Sequence, residues 1–226
     1  MSAPPAAVVL PVKRFELAKH RLSDVLSPDE RETLMEAMLS DVLSALSRVR
    51  VPLALVMVTS EPRASRAAAT IGAEIVSDGG EPGHSQAAAR GIGRCAQRGV
   101  ERVVLLPGDC PLLDATAVEQ LLTLPCGPGG RVGLVTDRAG TGTNALLLEP
   151  PLAIVPAFGP GSRRRHREAA AACGVPFQAL EIPSLQLDVD TPADLAALRA
   201  VLDGRPHAAP HTASALRELA PVQAVR

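Results

Sequence analysis

The sequence predicts a single α/β domain with helices on both faces of a mostly parallel sheet. Three observations lead there. Short aliphatic runs alternate with helix-period segments over about 200 residues of the chain. Most helix-period segments open on a capping residue or a proline. Hydrophobic residues make up 46% of the 226, with three Phe and no Trp or Tyr, so one sizeable and almost purely aliphatic core is expected.

Val8–Val12 reads as a short buried strand, followed by a charged loop holding Lys13, Arg14, Glu16, Lys19, His20 and Arg21. Ser27-Pro28-Asp29-Glu30 is a helix start: Ser27 caps, Pro28 suits the first turn and Glu30 completes a capping box. Leu34, Met35, Met38, Leu39, Val42, Leu43 and Leu46 recur at helical spacing, and Pro52 is expected to end that helix. Leu53–Val58 is the second strand, Pro62–Ile71 a helix, Glu74–Val76 a strand and Ser85–Gln97 a helix. Arg102–Leu106 is a buried strand, and Asp114–Leu124 is a helix opened by its own aspartate. Arg131–Thr136 and Asn144–Leu148 read as two strands joined by the glycine-rich Arg138–Thr143. Arg164–Cys173 is helical, Phe177–Ile182 extended and Thr191–Leu202 the last long helix. The domain is thus expected over residues 1–203. Residues 204–226, rich in Ala, Pro and His, read as a partly disordered tail with room for a short helix at Thr212–Leu219.

Composition excludes several classes. A formal net charge of −1 gives no general basic field for nucleic acid or an anionic membrane. The lack of aromatics argues against a stacking platform for single strands. Cys95, Cys110, Cys126 and Cys173 form no Cys-x-x-Cys pair, so inert thiols are expected rather than a zinc site or disulfide framework. Met1–Val9 lacks a basic leader region and Val51–Val58 is too short to span a bilayer, which points to a cytoplasmic enzyme.

In parallel α/β sheets, ligands bind beyond the carboxyl ends of the strands. Four segments fall there. Lys13, Lys19 and Arg21 follow the first strand; they are either a solvated basic loop or cations for a triphosphate. Asp109 follows a buried strand inside Pro107-Gly108-Asp109-Cys110-Pro111, a stiffened turn that holds a carboxylate outward, either for a magnesium ion or to cap the local backbone. In Leu187-Asp188-Val189-Asp190, an extended chain places both aspartates on one face, a costly pairing unless a cation joins them. Thr191-Pro192-x-Asp194 is read as a purely structural helix start. Gly140-Thr141-Gly142-Thr143-Asn144 and Phe158-Gly159-Pro160-Gly161-Ser162 lie at loops. Ser162 sits where a helix begins, a natural anion site or an ordinary serine cap. His166, one turn further on, is expected only to pack or bond locally.

Lys13–Leu46, with Ala18-Lys19-His20-Arg21-Leu22-Ser23 and Ser27-Pro28-Asp29-Glu30-Arg31, resembles the guanylyltransferase family of CofC/FbiD type, and so do the four segments above. That family acts on 2-phospho-L-lactate or phosphoenolpyruvate and makes the diphosphoguanosine precursor of coenzyme F-420. The resemblance spans roughly residues 7–202. It implies a three-layer Rossmann-like nucleotidyltransferase fold, GTP as donor, magnesium, and a small phosphorylated carboxylic acid as acceptor. Residue by residue, it implies metal and catalytic roles for Asp109, Asp188 and Asp190. It implies acceptor contacts at Thr143, Gly159 and Ser162, and nucleotide contacts at Lys13, Lys19, Arg21 and Ser85. The chain departs from relatives at His84-Ser85, where Leu-Asn is common, and at Arg163, where an aromatic residue is common. Two other classes compete: a molybdopterin or sugar-phosphate nucleotidyltransferase, and a non-catalytic nucleotide sensor. Val12-Lys13-Arg14-Phe15 has no glycine and so lacks the first-loop signature of the former; the full set of aspartates argues against the latter.

Overall fold

The computed structural model describes residues 6–80 and 83–219. Its strands are β1 (Ala6–Pro11), β2 (Ala54–Val58), β3 (Glu74–Val76), β4 (Arg102–Leu105), β5 (Arg131–Val135), β6 (Ala145–Glu149) and β7 (Phe177–Leu180). Its α-helices are α1 (Pro28–Leu46), α2 (Pro62–Ala69), α3 (His84–Gln97), α4 (Ala115–Thr123), α5 (Ser162–Ala172), α6 (Pro192–Gly204) and α7 (Pro210–Glu218). The strands form one seven-stranded sheet in the order β3-β2-β1-β4-β6-β5-β7. Only β6 runs against the rest, pairing antiparallel with β4 and β5.

Period-two alternation along the central strands divides the core into two layers. On β1, Ala6, Val8 and Leu10 face α1, α4 and α6, whereas Ala7 and Val9 face α3. β2 repeats this, with Leu55 and Met57 on one side and Val56 and Val58 on the other. α3 lies close against the sheet through Gly91, where an added Cβ would stand 2.4 Å from Val9 Cγ1. β1, β2 and β3 step outward in one direction and β4 pairs on the other flank of β1. The order therefore switches between β1 and β4, and the loops after these two strands open onto one crevice.

The capping box expected at Ser27 and Glu30 is present, as is a second one at Thr191 and Asp194. Two expectations change. α1 stops at Leu46 rather than running to Pro52: Ser47 closes it, its hydroxyl donating to the Ser44 carbonyl at 2.9 Å. α5 begins at Ser162, and its N-cap is Gly161 with φ +71° instead of a serine.

The short helix for which the segment after residue 203 left room is present as α7 and packs on the domain. Residues 204–219 close onto the domain, with α7 against α1. Ala209, Ala213, Leu216 and Leu219 recur at helical spacing and join the α1-side core. Asp41, buried mid-way along α1, accepts the His211 and Thr212 amides at 3.0 and 2.8 Å and so caps α7 from a neighbouring helix. Residues 220–226, the rest of that expected tail, and residues 1–5 of the N-terminal segment lie outside the described residues.

Candidate active site

One cleft of about 630 Å³ opens at the β1/β4 switch point. It brings together nine of the ten residues singled out from sequence: Lys13, Lys19, Arg21, Asp109, Thr143, Gly159, Ser162, Asp188 and Asp190. Ser85 is not among the lining residues; its hydroxyl accepts the Phe158 amide at 2.8 Å and ties α3 to the loop on the far side.

The acidic wall comes from the β4 turn and the extended run before α6. Leu187 and Val189 are buried while Asp188 and Asp190 line the cleft, so the expected alternation holds in a segment that pairs with no strand. The Val189 amide donates to the Asp109 carbonyl at 3.3 Å and staples the two acidic segments together. Asn144, just before β6, donates to Asp188 Oδ1 at 3.1 Å and to the Leu185 carbonyl at 2.8 Å.

Lys19 sits between two short 3-10 turns, Phe15–Leu17 and His20–Leu22, with a left-handed backbone of φ +58°. Such a conformation is uncommon outside glycine and aspartate-like residues. Its ammonium is bonded to Asp109 and, at 2.8 Å, to Asp190, with a side chain only 3% exposed. Lys19 therefore faces the carboxylates instead of standing free in the basic loop, whereas Lys13 and Arg21 are exposed at the rim. Burial works against the Lys19 charge, but Asp109 and Asp190 outweigh it and raise its pKa. Burial likewise opposes ionisation of Asp190, yet Lys19, Arg21 and Lys13 together hold that carboxyl below its ordinary value. Asp188 has no such cation. Burial, then the charges of Asp109 and Asp190, push it up to about 6. Negative charge on this wall is thus only partly neutralised by the protein.

The opposite wall carries hydroxyls. Ser162 Oγ donates to Thr143 Oγ1 at 2.9 Å, and His166 Nδ1 meets the same oxygen at 3.0 Å. The amides expected at the start of α5 are partly spent: Ser162 N–H donates to the Gly159 carbonyl at 3.0 Å and Arg163 N–H to the Thr141 carbonyl at 3.1 Å. Gly159 takes φ +105°, which a side chain would strain. The Arg165 guanidinium donates to the carbonyls of Ala157, Phe158, Gly159 and Pro160. Phe158 stacks edge-on between His84 and His166, with ring centroids 4.7 and 5.3 Å away.

Sequence reasoning missed Asn144 and Arg165 as organisers of the site and gave His166 too little. A signal existed for His166, since it lies four residues beyond Ser162 and so on the same helical face. None existed for the Lys19 pairing, which spans 90 positions to Asp109.

The donor set on the acidic wall is carboxylate oxygen, which suits a hard divalent cation and not a thiophilic one. Cys110, the nearest thiol, is fully buried, and burial together with Asp109 and Asp188 raises its pKa far above the ordinary value. Among the described residues no three His, Cys, Asp or Glu side chains already form a metal-binding cluster. A cation would therefore take carboxylate oxygens from this wall, its other positions being left to ligand oxygens, as is usual for magnesium.

The guanylyl transferase CofC-like family model matches residues 6–218. The chain belongs to this family. A phosphoenolpyruvate guanylyltransferase of Conexibacter woesei is 42% identical over 211 residues, covering 93% of this chain and 95% of that protein. A phosphoenolpyruvate guanylyltransferase of Sphaerobacter thermophilus is 37% identical over 187 residues, covering 83% and 89%. Among solved structures, 4-diphosphocytidyl-2C-methyl-D-erythritol synthase superposes with a TM-score of 0.60 at 15% identity, covering 88% of this chain and all of that one. A nucleotidyl transferase of Methanothermobacter thermautotrophicus gives 0.59 at 17%, covering 88% and 97%. The CofC-like chain is thus a nucleotidyltransferase with the family's α/β sheet. None of its helices, among the described residues, is long and apolar enough to cross a membrane.

Proposed function

We propose that the protein transfers GMP from GTP to phosphoenolpyruvate, or to 2-phospho-L-lactate, releasing pyrophosphate on the route to coenzyme F-420. The observation that carries this reading is the cleft's polarity: a partly neutralised acidic wall with exposed Lys13 and Arg21 faces the Thr143–Ser162 hydroxyl pair. The names of the relatives supply the choice of acid.

In this reading GTP lies along the β1 and β4 loops, with Lys13 and Arg21 meeting the phosphates that become pyrophosphate. Asp109, Asp188 and Asp190 would hold Mg²⁺, which supplies charge neutralisation at the triphosphate when bound. Thr143, Ser162 and the Gly159 backbone orient the acceptor so that its phosphate oxygen attacks the α-phosphorus in line. No side-chain base is needed, because a phosphate monoester with a second pKa of ~6 is already mostly dianionic at neutral pH. Catalysis is then positioning and electrostatics.

The test is a matrix of GTP, ATP and CTP against phosphoenolpyruvate, 2-phospho-L-lactate and 3-phosphoglycerate, with products identified by mass spectrometry. GTP with phosphoenolpyruvate should give the most product. A different nucleotide prevailing with every acid would overturn the donor, and no product from any acid would overturn the acceptor class.

A further inference from the structure

His166 is fully buried on α5, and its two ring nitrogens have different neighbours. Nε2 lies 2.8 Å from the Ala157 amide nitrogen, and Nδ1 lies 3.0 Å from Thr143 Oγ1. A backbone N–H can only donate, so Nε2 accepts and carries no proton. That excludes the imidazolium and puts the single ring proton on Nδ1. Nδ1–H then donates to Thr143 Oγ1, and Ser162 Oγ lies 2.9 Å from the same oxygen. The two hydroxyls share one hydrogen bond and so use one of their two hydrogens, and the ring, already a donor, can take neither. The other hydrogen, on Thr143 or on Ser162, is left over, and both residues line the cleft.

We infer that His166 is a positioning residue: locked as the Nδ1–H tautomer, it donates to Thr143 Oγ1 and so leaves one hydrogen of the Thr143–Ser162 hydroxyl pair as a donor to the anionic acceptor in the cleft. The inference rests on the proposed function, in which Thr143 and Ser162 hold that acceptor. A phosphate or carboxylate oxygen can only accept, so a hydroxyl pair that gave its spare hydrogen to the ring would present only lone pairs to it. The lock removes that option. It matters more here because the Ser162 and Arg163 amides at the start of α5 are already bonded within the protein. The surroundings keep the ring neutral: burial, then the Arg165 charge, lower its pKa to about 4. The groups that hydrogen-bond or pack edge-on to the ring, Thr143, Ala157 and Phe158, carry no charge.

Two substitutions separate the functions of the ring. In His166→Gln the side-chain oxygen can still accept the Ala157 amide but nothing donates to Thr143; in His166→Asn a donor remains near the Nδ1 position. Nitrogen-15 spectra of the histidine-labelled wild type should show the Nδ1–H tautomer, with no titration between pH 5 and 8. His166→Gln should raise the acceptor KM about tenfold or more while leaving the GTP KM within about twofold, and His166→Asn should recover much of that loss. On a Thr143→Val background, His166→Gln should cost little more. An Nε2–H tautomer, equal shifts in both KM values, or full additivity with Thr143→Val would overturn the inference. If the wild type uses no phospho-acid at all, the proposed function fails instead, and the ring spectrum still reports whether the lock exists.

Discussion

Lys19 Nζ stands 2.8 Å from Asp190 Oδ1, although 171 positions separate the two residues. This pair sets the charge balance of the acidic wall, because the same ammonium also bonds Asp109 and is almost wholly buried. Removing the ammonium leaves two neighbouring carboxylates without their shared cation, a repulsion that solvent screens in part because their side chains are 22% and 48% exposed. Lys19→Met should therefore lower the Tm in metal-free buffer. Added Mg²⁺ should restore it more than it stabilises the wild type, since a cation would replace the lost ammonium. Equal Mg²⁺ responses in thermal-shift measurements would show that cation and lysine do not answer the same charge.

Asp109→Asn and Asp190→Asn keep side-chain size and remove charge. Each should lower turnover by about two orders of magnitude or more, in line with losing a major electrostatic contribution. Near-normal pyrophosphate release by both variants would remove these residues from the reaction.

Ending the chain at Asp203 should destabilise the protein. The cut deletes Ala209, Ala213, Leu216 and Leu219 from the core and leaves the buried Asp41 carboxylate without the two amides it accepts. A loss of ~3 kcal/mol corresponds to a Tm drop of roughly 10 °C for a domain of this size. An unchanged Tm would mean that α7 adds nothing to stability.

The buried imidazole gives stability a pH dependence of known sign. His166 has a pKa lowered to about 4 in the folded state, against an ordinary value of 6.5. Between those values the unfolded chain binds the proton and the native state does not, so stability falls as pH drops from 6.5 toward 4. At ~1.4 kcal/mol per pH unit, the whole loss is roughly 3 kcal/mol. Denaturant titrations at pH 7 and pH 4.5 should show a smaller loss for His166→Gln than for the wild type. The same loss in both would place the proton elsewhere.

The sequence by itself determined the layers, most element boundaries and which loops meet at the cleft. Those signals are local: the capping boxes at Ser27 and Thr191, the alternation of Leu187 and Val189 with Asp188 and Asp190, and the aliphatic runs of β1 and β4. Each is written within a few neighbouring residues, because helix and strand periods and caps act over one or two turns. Tertiary structure decided what those residues do to one another. It turned Lys19 from the basic loop onto Asp109 and Asp190, gave Ser85 to the Phe158 amide, and set His166 between Thr143 and Ala157. It also folded α7 onto α1, because the residue that caps that helix, Asp41, belongs to another part of the chain. Hydrogen bonds and ion pairs across such separations depend on where the sheet order brings distant loops, and the crevice between β1 and β4 exists only once β4 has paired on the other flank of β1.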